Sequence, residues 1–378
     1  MSGATTVTRY VGREVLRLAQ DRIGHSALPR RLDDVRPSDL ARWMGRSVTS
    51  VHRLDSTSGT TDRARLALDG TDVPESVFLK LPAGAPVIRL FGNLARLGEN
   101  EVRFYREVRP GLDVVAPTLL GSAFEERTKR YALVLDDLVA AGATFADATT
   151  SLQPPQTLLV LENLARLHGA YWTSGQLDTD LRWVHANRED PMLPAISWAL
   201  RRMGTRIARE ARELIPDPGR AILDAYPDVA RRLDDGPHTV LHGDPHPGNC
   251  YFVDGRAGLL DWQVLRRGHP MRDVAYHLVL ALDRETRRSV ERDLLRRYAE
   301  ALAAHGGPSF DDDVVWRTYR RMAAGPFVAA TFTVGLAGLQ RDDIARSGLR
   351  RAAAAIVDLG TAAALGLDSS DIPPGGGG

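Results

Sequence analysis

The stretch HGDPHPGNCYFVDGRAGLLD, residues 242–261, decides how the rest of the chain is interpreted. Its prolines and glycine predict a loop that carries Asp244 and Asn249. A short apolar strand follows, and the pair Asp254-Gly255 predicts a tight hairpin turn. The returning strand then leads to Asp261. Because a short hairpin brings its two ends together, we expect Asn249 and Asp261 to lie side by side, with Asp244 nearby.

These three side chains suit a particular kind of chemistry. Amide and carboxylate oxygens are ligands that a hard divalent cation prefers, and a further carboxylate can hold and partly deprotonate a reacting group. Two other interpretations compete. The set His242, Asp244 and His246 also has the composition of a zinc hydrolase site. The third interpretation is a polar loop without chemistry, which is common for short motif matches.

The motif in this stretch is His-Gly-Asp, four residues, Asn and then a hairpin ending in Asp-Trp. It resembles the catalytic core of the aminoglycoside phosphotransferase and choline kinase-like superfamily. Its members are small-molecule relatives of the protein kinases. The resemblance implies that Asp244 faces the acceptor hydroxyl, while Asn249 and Asp261 hold magnesium on the nucleotide phosphates. One departure is Asp-Trp-Gln at 261–263 in place of the protein-kinase Asp-Phe-Gly. The segments VFLKLP, EVRFYREV and LARLHGAYW are most similar in sequence to the ecdysteroid kinase-like branch. The resemblance spans roughly residues 45–280.

The strand predicted at Ser76–Leu81 alternates, so that Lys80 lies on the face opposite Val77 and Leu79. A cation on a buried strand needs an anion or must reach water. The next predicted helix, Leu94–Val108, places Glu101 on its apolar stripe. A buried carboxylate is equally costly alone, so Lys80 and Glu101 are expected to pair. The resemblance implies that this pair holds the ammonium on the α and β phosphates, although an ordinary buried ion pair is the alternative.

Two further segments are candidates for nucleotide contacts. The small-residue turn Ser56–Asp62 takes the place of a glycine-rich loop, and its backbone N–H groups at Ser58, Gly59 and Thr60 could meet phosphates. It lacks the usual glycine spacing, and such turns are often only hairpins. The apolar strand Tyr131–Leu135 runs into the position of the interlobe hinge. There the resemblance implies that main-chain atoms of Leu135, Asp136 and Leu138 bond the adenine edge.

The periodicity of apolar residues changes from two to about 3.6 after the hinge. Pro154–Trp172 is predicted as a helix, in which His168 is assigned no chemistry. Asp273 resembles a family carboxylate that braces the catalytic loop. The resemblance implies an α+β, bilobal protein-kinase-like fold, with an N-terminal antiparallel sheet lobe and a mainly helical C-terminal lobe, and the change of periodicity agrees with it. The expected domains are residues 1–137 and 138–367, with a disordered tail at 368–378.

Composition limits the possible partners and location of the protein. A length of 378 residues exceeds one typical domain. A net charge of +1 gives no support to a nucleic-acid or membrane partner. One cysteine permits no internal disulfide and fits the cytoplasm. The uncharged run Met322–Gln340 is long enough to raise the question of a membrane span, but its glycines, threonines and proline favour a buried helix.

The sequence therefore predicts a kinase that moves the γ-phosphoryl group of ATP, with GTP left open, to a hydroxyl of a small molecule in the presence of Mg²⁺. Residues 173–235 contain eleven acidic residues against ten arginines. With the apolar run near Met322, this balance favours a weakly charged acceptor, such as a sugar, sterol-like compound or acyl alcohol, over a polycationic aminoglycoside. The alternatives are an antibiotic phosphotransferase, the zinc hydrolase and a pseudokinase that binds nucleotide without transfer.

Overall fold

The structure, a computed structural model, describes residues 3–147, 149–336 and 340–367. The described chain divides into two compact units. The first comprises residues 3–111, 115–145 and 251–265, and the second comprises the described parts of 112–114, 146–250 and 266–367. The first unit thus includes the hairpin that follows Asn249, which the predicted boundary at residue 137 assigned to the second domain. The predicted tail at 368–378 lies outside the described residues.

A five-stranded antiparallel sheet forms the centre of the first unit, with strand order β1-β2-β3-β5-β4. Its core lies on the face of β3 that holds Val77, Leu79 and Leu81, all almost fully buried, as the alternation predicted. The α2 helix (Pro37–Met44) packs Leu40 and Trp43 into the same core. The strands are β1 (Ser47–Ser58), β2 (Thr61–Thr71), β3 (Ser76–Pro82), β4 (Leu119–Glu125) and β5 (Arg130–Asp136).

Four α-helices belong to the first unit: α1 (Gly3–Ile23), α2 (Pro37–Met44), α3 (Pro86–Leu94) and α4 (Leu97–Arg103). The helix predicted over Leu94–Val108 begins three residues later than expected, at Leu97, and is helical from there to Val108. Arg96 has φ 57°, in the left-handed region, so that α3 ends and α4 starts in a new direction. A π-helical turn at Phe104–Val108 follows α4.

The long α1 helix is attached through a buried ionic cluster. Asp21 receives a hydrogen bond from Arg89 Nη1 at 2.9 Å and two from Arg130, from Nε and Nη2, at 2.8 Å each. All three side chains are more than nine-tenths buried. Charged groups withdrawn from water are stable only when paired in this way, so this cluster fixes α1 against α3 and β5.

Helices make up most of the second unit, as predicted. They are α5 (Pro154–Ala170), α6 (Leu193–Glu210), α7 (Asp217–Asp224), α8 (Tyr226–Leu233), α9 (Met271–Ala281), α10 (Arg284–Ala304), α11 (Asp312–Met322), α12 (Ala324–Gly335), α13 (Asp342–Asp358) and α14 (Thr361–Ala364). The remaining strands of the chain are β6 (Thr144–Phe145), β7 (Thr239–Leu241), β8 (Cys250–Val253), β9 (Arg256–Leu259) and β10 (Arg266–Gly268). β7 pairs with β10, and β8 lies between β6 and β9.

The predicted hairpin is formed by β8 and β9. Asp254 and Gly255 at its turn have φ values of 50° and 70°. Two successive positive φ values match the right-handed twist of the flanking strands, and Asp-Gly adopts them at low cost. β9 ends at Leu259, two residues before Asp261.

The described part of the uncharged run that begins at Met322 is mainly helical, and many of its side chains are buried in the second unit. In α12, Phe327, Ala330 and Thr331 are buried, and the Thr331 hydroxyl donates to the Phe327 carbonyl. No helix within the described ranges combines the length and hydropathy needed to cross a membrane. The run therefore contributes to packing, as the sequence predicted for its helical part.

Candidate functional site

The Lys80 side chain lies between two carboxylates in the first unit. Its ammonium is 2.8 Å from Glu101 Oε2 and 2.8 Å from Asp261 Oδ1. Lys80 on β3 is 3% exposed and Glu101 on α4 is 1% exposed. Burial of this degree makes an unpaired charge very costly, and each group supplies the partner that the other needs. The predicted pairing of Lys80 with Glu101 is confirmed, and Asp261 joins the same pair.

The three charges shift one another's proton affinities. Burial alone would lower the pKa of Lys80, but Asp261 and Glu101 outweigh it and hold the pKa above its usual value. Burial likewise raises the pKa of Asp261, but Lys80 dominates and the net pKa lies below the usual range. For Glu101, burial dominates, and its pKa rises from 4.5 to about 7 despite Lys80. Two carboxylates share one ammonium, so the second negative charge is poorly neutralised. Its effect is seen in the raised pKa of Glu101.

Two contacts tie α4 to the segment that carries Asp261. The indole of Trp262 stacks on the Phe104 ring, with centroids 3.8 Å apart and an interplanar angle of 6°. The Asn100 amide donates to the Gln263 carbonyl at 3.0 Å. The Gln263 side chain in turn donates to Asp261 Oδ1. The helix that positions Glu101 and the segment that positions Asp261 are therefore held together by a ring stack and a hydrogen bond.

The predicted phosphate-binding turn is shorter than expected. β1 extends to Ser58 and β2 begins at Thr61, so Gly59 and Thr60 alone connect them. The Gly59 N–H donates to the Thr61 carbonyl at 3.0 Å, which engages one of the groups predicted to meet phosphate. The segment predicted as a small-residue turn between two strands therefore forms a hairpin, because serine and threonine fit the edge of a twisted sheet and continue its ladder. Contact of its backbone with phosphates stays a prediction.

The predicted hinge, at the end of β5, has a well-bonded backbone. The Asp136 N–H donates to the Thr118 carbonyl at 3.0 Å, and Asp136 Oδ1 accepts from the Thr118 N–H at 2.8 Å. The Leu138 carbonyl accepts from the Ala143 N–H at 2.9 Å. The Asp136 N–H and the Leu138 carbonyl, two of the main-chain groups predicted to bond adenine, thus form hydrogen bonds within the first unit. A role for Leu135, Asp136 and Leu138 in nucleotide binding stays a prediction.

Asp244 and Asn249 lie in the loop between β7 and β8 in the second unit. The Asn249 amide donates to the Asp244 carbonyl at 2.9 Å, which sets the two predicted residues side by side. Asp273 on α9 accepts from the His242 N–H at 2.6 Å and from the Gly243 N–H at 3.0 Å. The predicted bracing of this loop by Asp273 is confirmed. The predicted proximity of Asn249 to Asp261 stays a prediction.

Asn249 and Asp261 each carry a side-chain oxygen of the kind that a hard cation such as magnesium prefers. The amide nitrogen of Asn249 is occupied by the Asp244 carbonyl, so the amide oxygen is the end that can meet a cation. Lys80 and Gln263 both bond Oδ1 of Asp261, and Oδ2 is the second carboxylate oxygen. Asp261 has φ 61°, a left-handed conformation that costs energy for most residues and is held here by its neighbours.

The geometry does not favour the zinc interpretation. His242 is fully buried, and its Nδ1 accepts the Asp244 N–H at 3.2 Å. His246 Nε2 lies 3.7 Å from Asp244 Oδ2. Across the described residues, no group of three or more His, Cys, Asp or Glu side chains is placed to hold a metal ion. The His242 side chain thus accepts a hydrogen bond from the backbone of its own loop.

Sequence reasoning missed two residues of α9, Tyr276 and His277. Burial, and then the charge of Asp244, raise the pKa of Tyr276 well above its usual value, and His277 Nδ1 lies 2.8 Å from the Pro245 carbonyl. With Asp273 they occupy positions i, i+3 and i+4 of one helix face. That spacing is visible in the sequence, and the identification of Asp273 could have led to its two neighbours.

Comparison with known proteins supports this organisation. A family model described as the ecdysteroid kinase-like family matches residues 57–306, which is more than half of the chain. The chain belongs to the ecdysteroid kinase-like family. The matched range includes Lys80, Glu101, Asp244, Asn249 and Asp261. A search of the curated proteins found no match.

Solved structures with a similar fold include three phosphotransferases. The choline kinase of Cryptosporidium parvum Iowa II has 10% identity, with 84% of this chain and 91% of that chain covered, at a TM-score of 0.50. The ethanolamine kinase of Plasmodium vivax has 13% identity, 81% coverage of each chain and a TM-score of 0.47. The macrolide 2'-phosphotransferase of Brachybacterium faecium has 17% identity, with 82% of this chain and 95% of that chain covered, at a TM-score of 0.45.

The family match and the fold agree with the sequence-based expectations. The α+β fold, with its N-terminal antiparallel sheet and mainly helical second part, is that of the choline kinase, and the predicted fold class is confirmed. The predicted family and its ecdysteroid kinase-like branch are confirmed. The chain is therefore a member of a kinase-like family and has the fold of the choline kinase.

Proposed function

We propose that this protein transfers the γ-phosphoryl group of ATP to a hydroxyl of a small molecule in a magnesium-dependent reaction. The observation that carries the proposal is the buried triad of Lys80, Glu101 and Asp261, within a chain that matches a kinase-like family. A fully buried ammonium with two carboxylates is costly to maintain, and anionic phosphates are the ligand that would use it.

Each residue then has a distinct role. Lys80, oriented by Glu101, would bind the α and β phosphates. Asn249 and Asp261 would hold magnesium, which when bound neutralises phosphate charge. Asp244 would accept the hydrogen bond of the acceptor hydroxyl and align its oxygen with the γ-phosphorus.

The transfer itself balances without a further reactant. The acceptor oxygen forms a bond to the γ-phosphorus, and the bond from that phosphorus to the β–γ bridging oxygen breaks. The electron pair leaves with ADP, and the hydroxyl proton passes to the Asp244 carboxylate. The transition state is loose and highly charged, so orientation and charge neutralisation supply most of the rate enhancement.

We propose a weakly charged hydroxyl compound as the acceptor. One of the two sequence arguments is weakened, because the described part of the apolar run near Met322 is used in the core as α12. The other argument remains, since residues 173–235 hold eleven acidic residues against ten arginines. The family name adds a steroid alcohol to the candidates, and the names of the similar structures add choline, ethanolamine and macrolides.

The test is a screen of ATP consumption with these hydroxyl compounds, hydroxyl-bearing metabolites and aminoglycosides, in which Asp244→Ala is the critical variant. We expect Asp244→Ala to lower transfer at least a hundredfold while nucleotide affinity changes by less than about threefold, because the carboxylate acts on the acceptor rather than on ATP. Asp293→Ala is the matched control, since Asp293 is an exposed aspartate of the second unit that pairs with Arg296.

Other outcomes of this screen would point to the competing functions. Nucleotide binding without turnover for any acceptor would indicate a pseudokinase. Hydrolytic activity that does not depend on ATP and is lost on zinc chelation would indicate the zinc hydrolase. Transfer restricted to aminoglycosides would make the protein an antibiotic phosphotransferase.

A further inference from the structure

A cleft in the first unit lies between α3, the start of α4 and the sheet. It encloses about 400 Å³ of space, part of which is open to solvent. Thr60 and Gln263 line it, and Gln263 also donates to Asp261, so the cleft adjoins the ion triad. Lys80, Glu101 and Asp261 themselves do not line it. The walls of this α3–α4 cleft further include Thr61, Arg89, Gly92, Asn93 and Glu99.

Three polar side chains in the wall of this cleft have a donor group that the protein itself does not use. Arg89 Nε, Asn93 Nδ2 and Thr61 Oγ1 are buried, and none of them has a hydrogen-bond partner among the described residues. Arg89 and Thr61 are each more than nine-tenths buried. A buried donor without an acceptor is costly, so most such groups in proteins are satisfied. Three of them in one wall indicate a ligand that supplies acceptor atoms.

The Arg89 guanidinium also lacks a full counter-charge. Asp21 accepts from Arg89 Nη1 at 2.9 Å, and the same carboxylate accepts two hydrogen bonds from Arg130. Arg89 Nη2 donates to the Thr128 carbonyl at 2.8 Å, a group without net charge. One carboxylate thus faces two buried guanidiniums. Burial, and then the charge of Arg130, lower the pKa of Arg89 to about 10, and a nearby anion would act against that shift.

The other charges in the wall do not oppose an anion. Glu99 is the one carboxylate among the described residues of the wall, and it lies 3.2 Å from Arg96 and 3.1 Å from Lys129, which also line the cleft. Burial would raise the pKa of Glu99, but these two cations outweigh it and hold the pKa below the usual range. Glu126, which also pairs with Lys129, is an exposed side chain outside the wall. With Arg89, the cleft has three cations against one carboxylate, which favours a negatively charged ligand.

We propose that the α3–α4 cleft binds a compact oxyanion, either phosphate or the carboxylate group of a small molecule. Its oxygens would accept hydrogen bonds from Arg89 Nε, Asn93 Nδ2 and the Thr61 hydroxyl. Its charge would supply the counter-charge that Asp21 alone does not give to Arg89 and Arg130. Such an anion offers several acceptor oxygens in a small volume, and hydrogen bonds between charged partners are the strong ones. The inference does not depend on phosphoryl transfer.

Gly92 on α3 allows the cleft to be filled without the removal of any charge. A Cβ added at Gly92 meets nothing within 4 Å. A leucine side chain on a helix extends back over the preceding turn, here over Ile88 and Arg89, and both of these residues line the cleft. Leucine is also a better helix former than glycine, so Gly92→Leu should fold. The matched control is Gly12→Leu on the exposed side of α1, where an added Cβ likewise meets nothing within 4 Å.

The experiment is a calorimetric titration of the full-length protein with inorganic phosphate at constant ionic strength, without nucleotide or metal. We expect Gly12→Leu to keep the wild-type Kd within about twofold, as surface substitutions usually do. Gly92→Leu should bind phosphate at least about tenfold more weakly, because its side chain occupies the cleft. Asn93→Ala and Thr61→Val should each weaken binding about tenfold, since each removes one hydrogen bond to a charged group. Both should keep the wild-type Tm without phosphate, because the lost groups have no partner in the described part of the chain.

A parallel titration with malonate separates the two kinds of oxyanion. If either anion binds to wild type and is weakened in Gly92→Leu but not in Gly12→Leu, the proposal holds and the anion that binds identifies the class. Binding that Gly92→Leu leaves unchanged would overturn the proposal, because the anion would then lie elsewhere, for example on Lys80. Wild-type protein that binds neither phosphate nor malonate would overturn it as well.

Discussion

The ion triad of Lys80, Glu101 and Asp261 has one member, Glu101, whose pKa reflects the burial of the whole triad. With all three side chains ionised, one positive and two negative charges are withdrawn from water. Lys80 and Asp261 keep their charged forms, as the directions of their pKa shifts indicate. Glu101, with a pKa of about 7, is the member that gains or loses a proton near neutrality.

The pKa of Glu101 predicts an unusual pH dependence of stability for Glu101→Gln. The folded pKa of about 7 exceeds the ordinary value of 4.5, so the folded state holds a proton that the unfolded state has lost. Stability from this source is present below pH 4.5 and is lost as pH rises through 7. Glutamine cannot ionise. We therefore expect the variant to gain stability relative to wild type between pH 5 and pH 8, by up to about 3 kcal/mol.

Denaturant unfolding at both pH values, without metal or nucleotide, measures this difference, and Glu99→Gln is the control. Arg96 and Lys129 outweigh burial at Glu99 and hold its pKa below the usual range. Its stabilisation is therefore present above the ordinary pKa and is lost only as pH falls below it. Glu99→Gln should lose the same stability at pH 5 and pH 8. A pH-independent difference for Glu101→Gln would contradict the prediction.

The helix pair α3 and α4 determines where Glu101 lies, and two glycines in it behave differently. A Cβ added at Gly98 would lie 2.0 Å from Cε1 of Tyr131, a fully buried ring on β5. A Cβ added at Gly92 would meet nothing within 4 Å. Gly98 thus allows α4 to approach the sheet closely, and Gly92 has no such packing role.

We expect Gly98→Ala to destabilise the protein by about 1–3 kcal/mol, because the added methyl group must displace a packed ring or the helix. Gly92→Ala should stabilise it by up to about 1 kcal/mol, because alanine is the better helix former and fits the available space. The free energy of unfolding of both variants in urea tests the pair. Equal effects of the two substitutions would show that α4 does not depend on this close approach.

A ligand that binds only the folded state should raise the free energy of unfolding of the whole molecule. If ATP binds with magnesium as proposed, nucleotide at a hundred times its Kd raises the free energy of unfolding by about 2.7 kcal/mol. We expect Tm to rise with Mg-ADP, to fall back on addition of EDTA, and to respond little to ADP alone. Asp261→Asn should lose most of the rise, because it removes a charged ligand.

The control for this measurement is Asp244→Ala, which should keep the rise in Tm because Asp244 is proposed to face the acceptor. A rise in Tm with ZnCl₂ alone, unaffected by nucleotide, would contradict the proposal and favour the zinc alternative. A rise with ADP that is independent of divalent cations would remove magnesium from the proposal and leave the nucleotide site in place.

The sequence alone determined the features that follow from local chemistry. Asp254-Gly255 specifies its turn because few other residue pairs adopt two positive φ values. The alternation at Val77 and Leu79 specifies a buried face because successive strand residues point to opposite sides. Lys80 and Glu101 predicted each other because a buried charge requires a partner.

Only the tertiary structure decided which distant groups meet and where regular elements end. Lys80 bonds Asp261 across 181 positions in the chain, and nothing local to either residue encodes that contact. The break between α3 and α4 falls at Arg96, which is neither glycine nor proline, and β1 continues to Ser58 within the segment that was expected to be a turn. Asp273 and His277 bond the backbone of residues 242–245 only because α9 packs against that loop. These features depend on the packing of many residues at once, and short-range patterns contain no information about it.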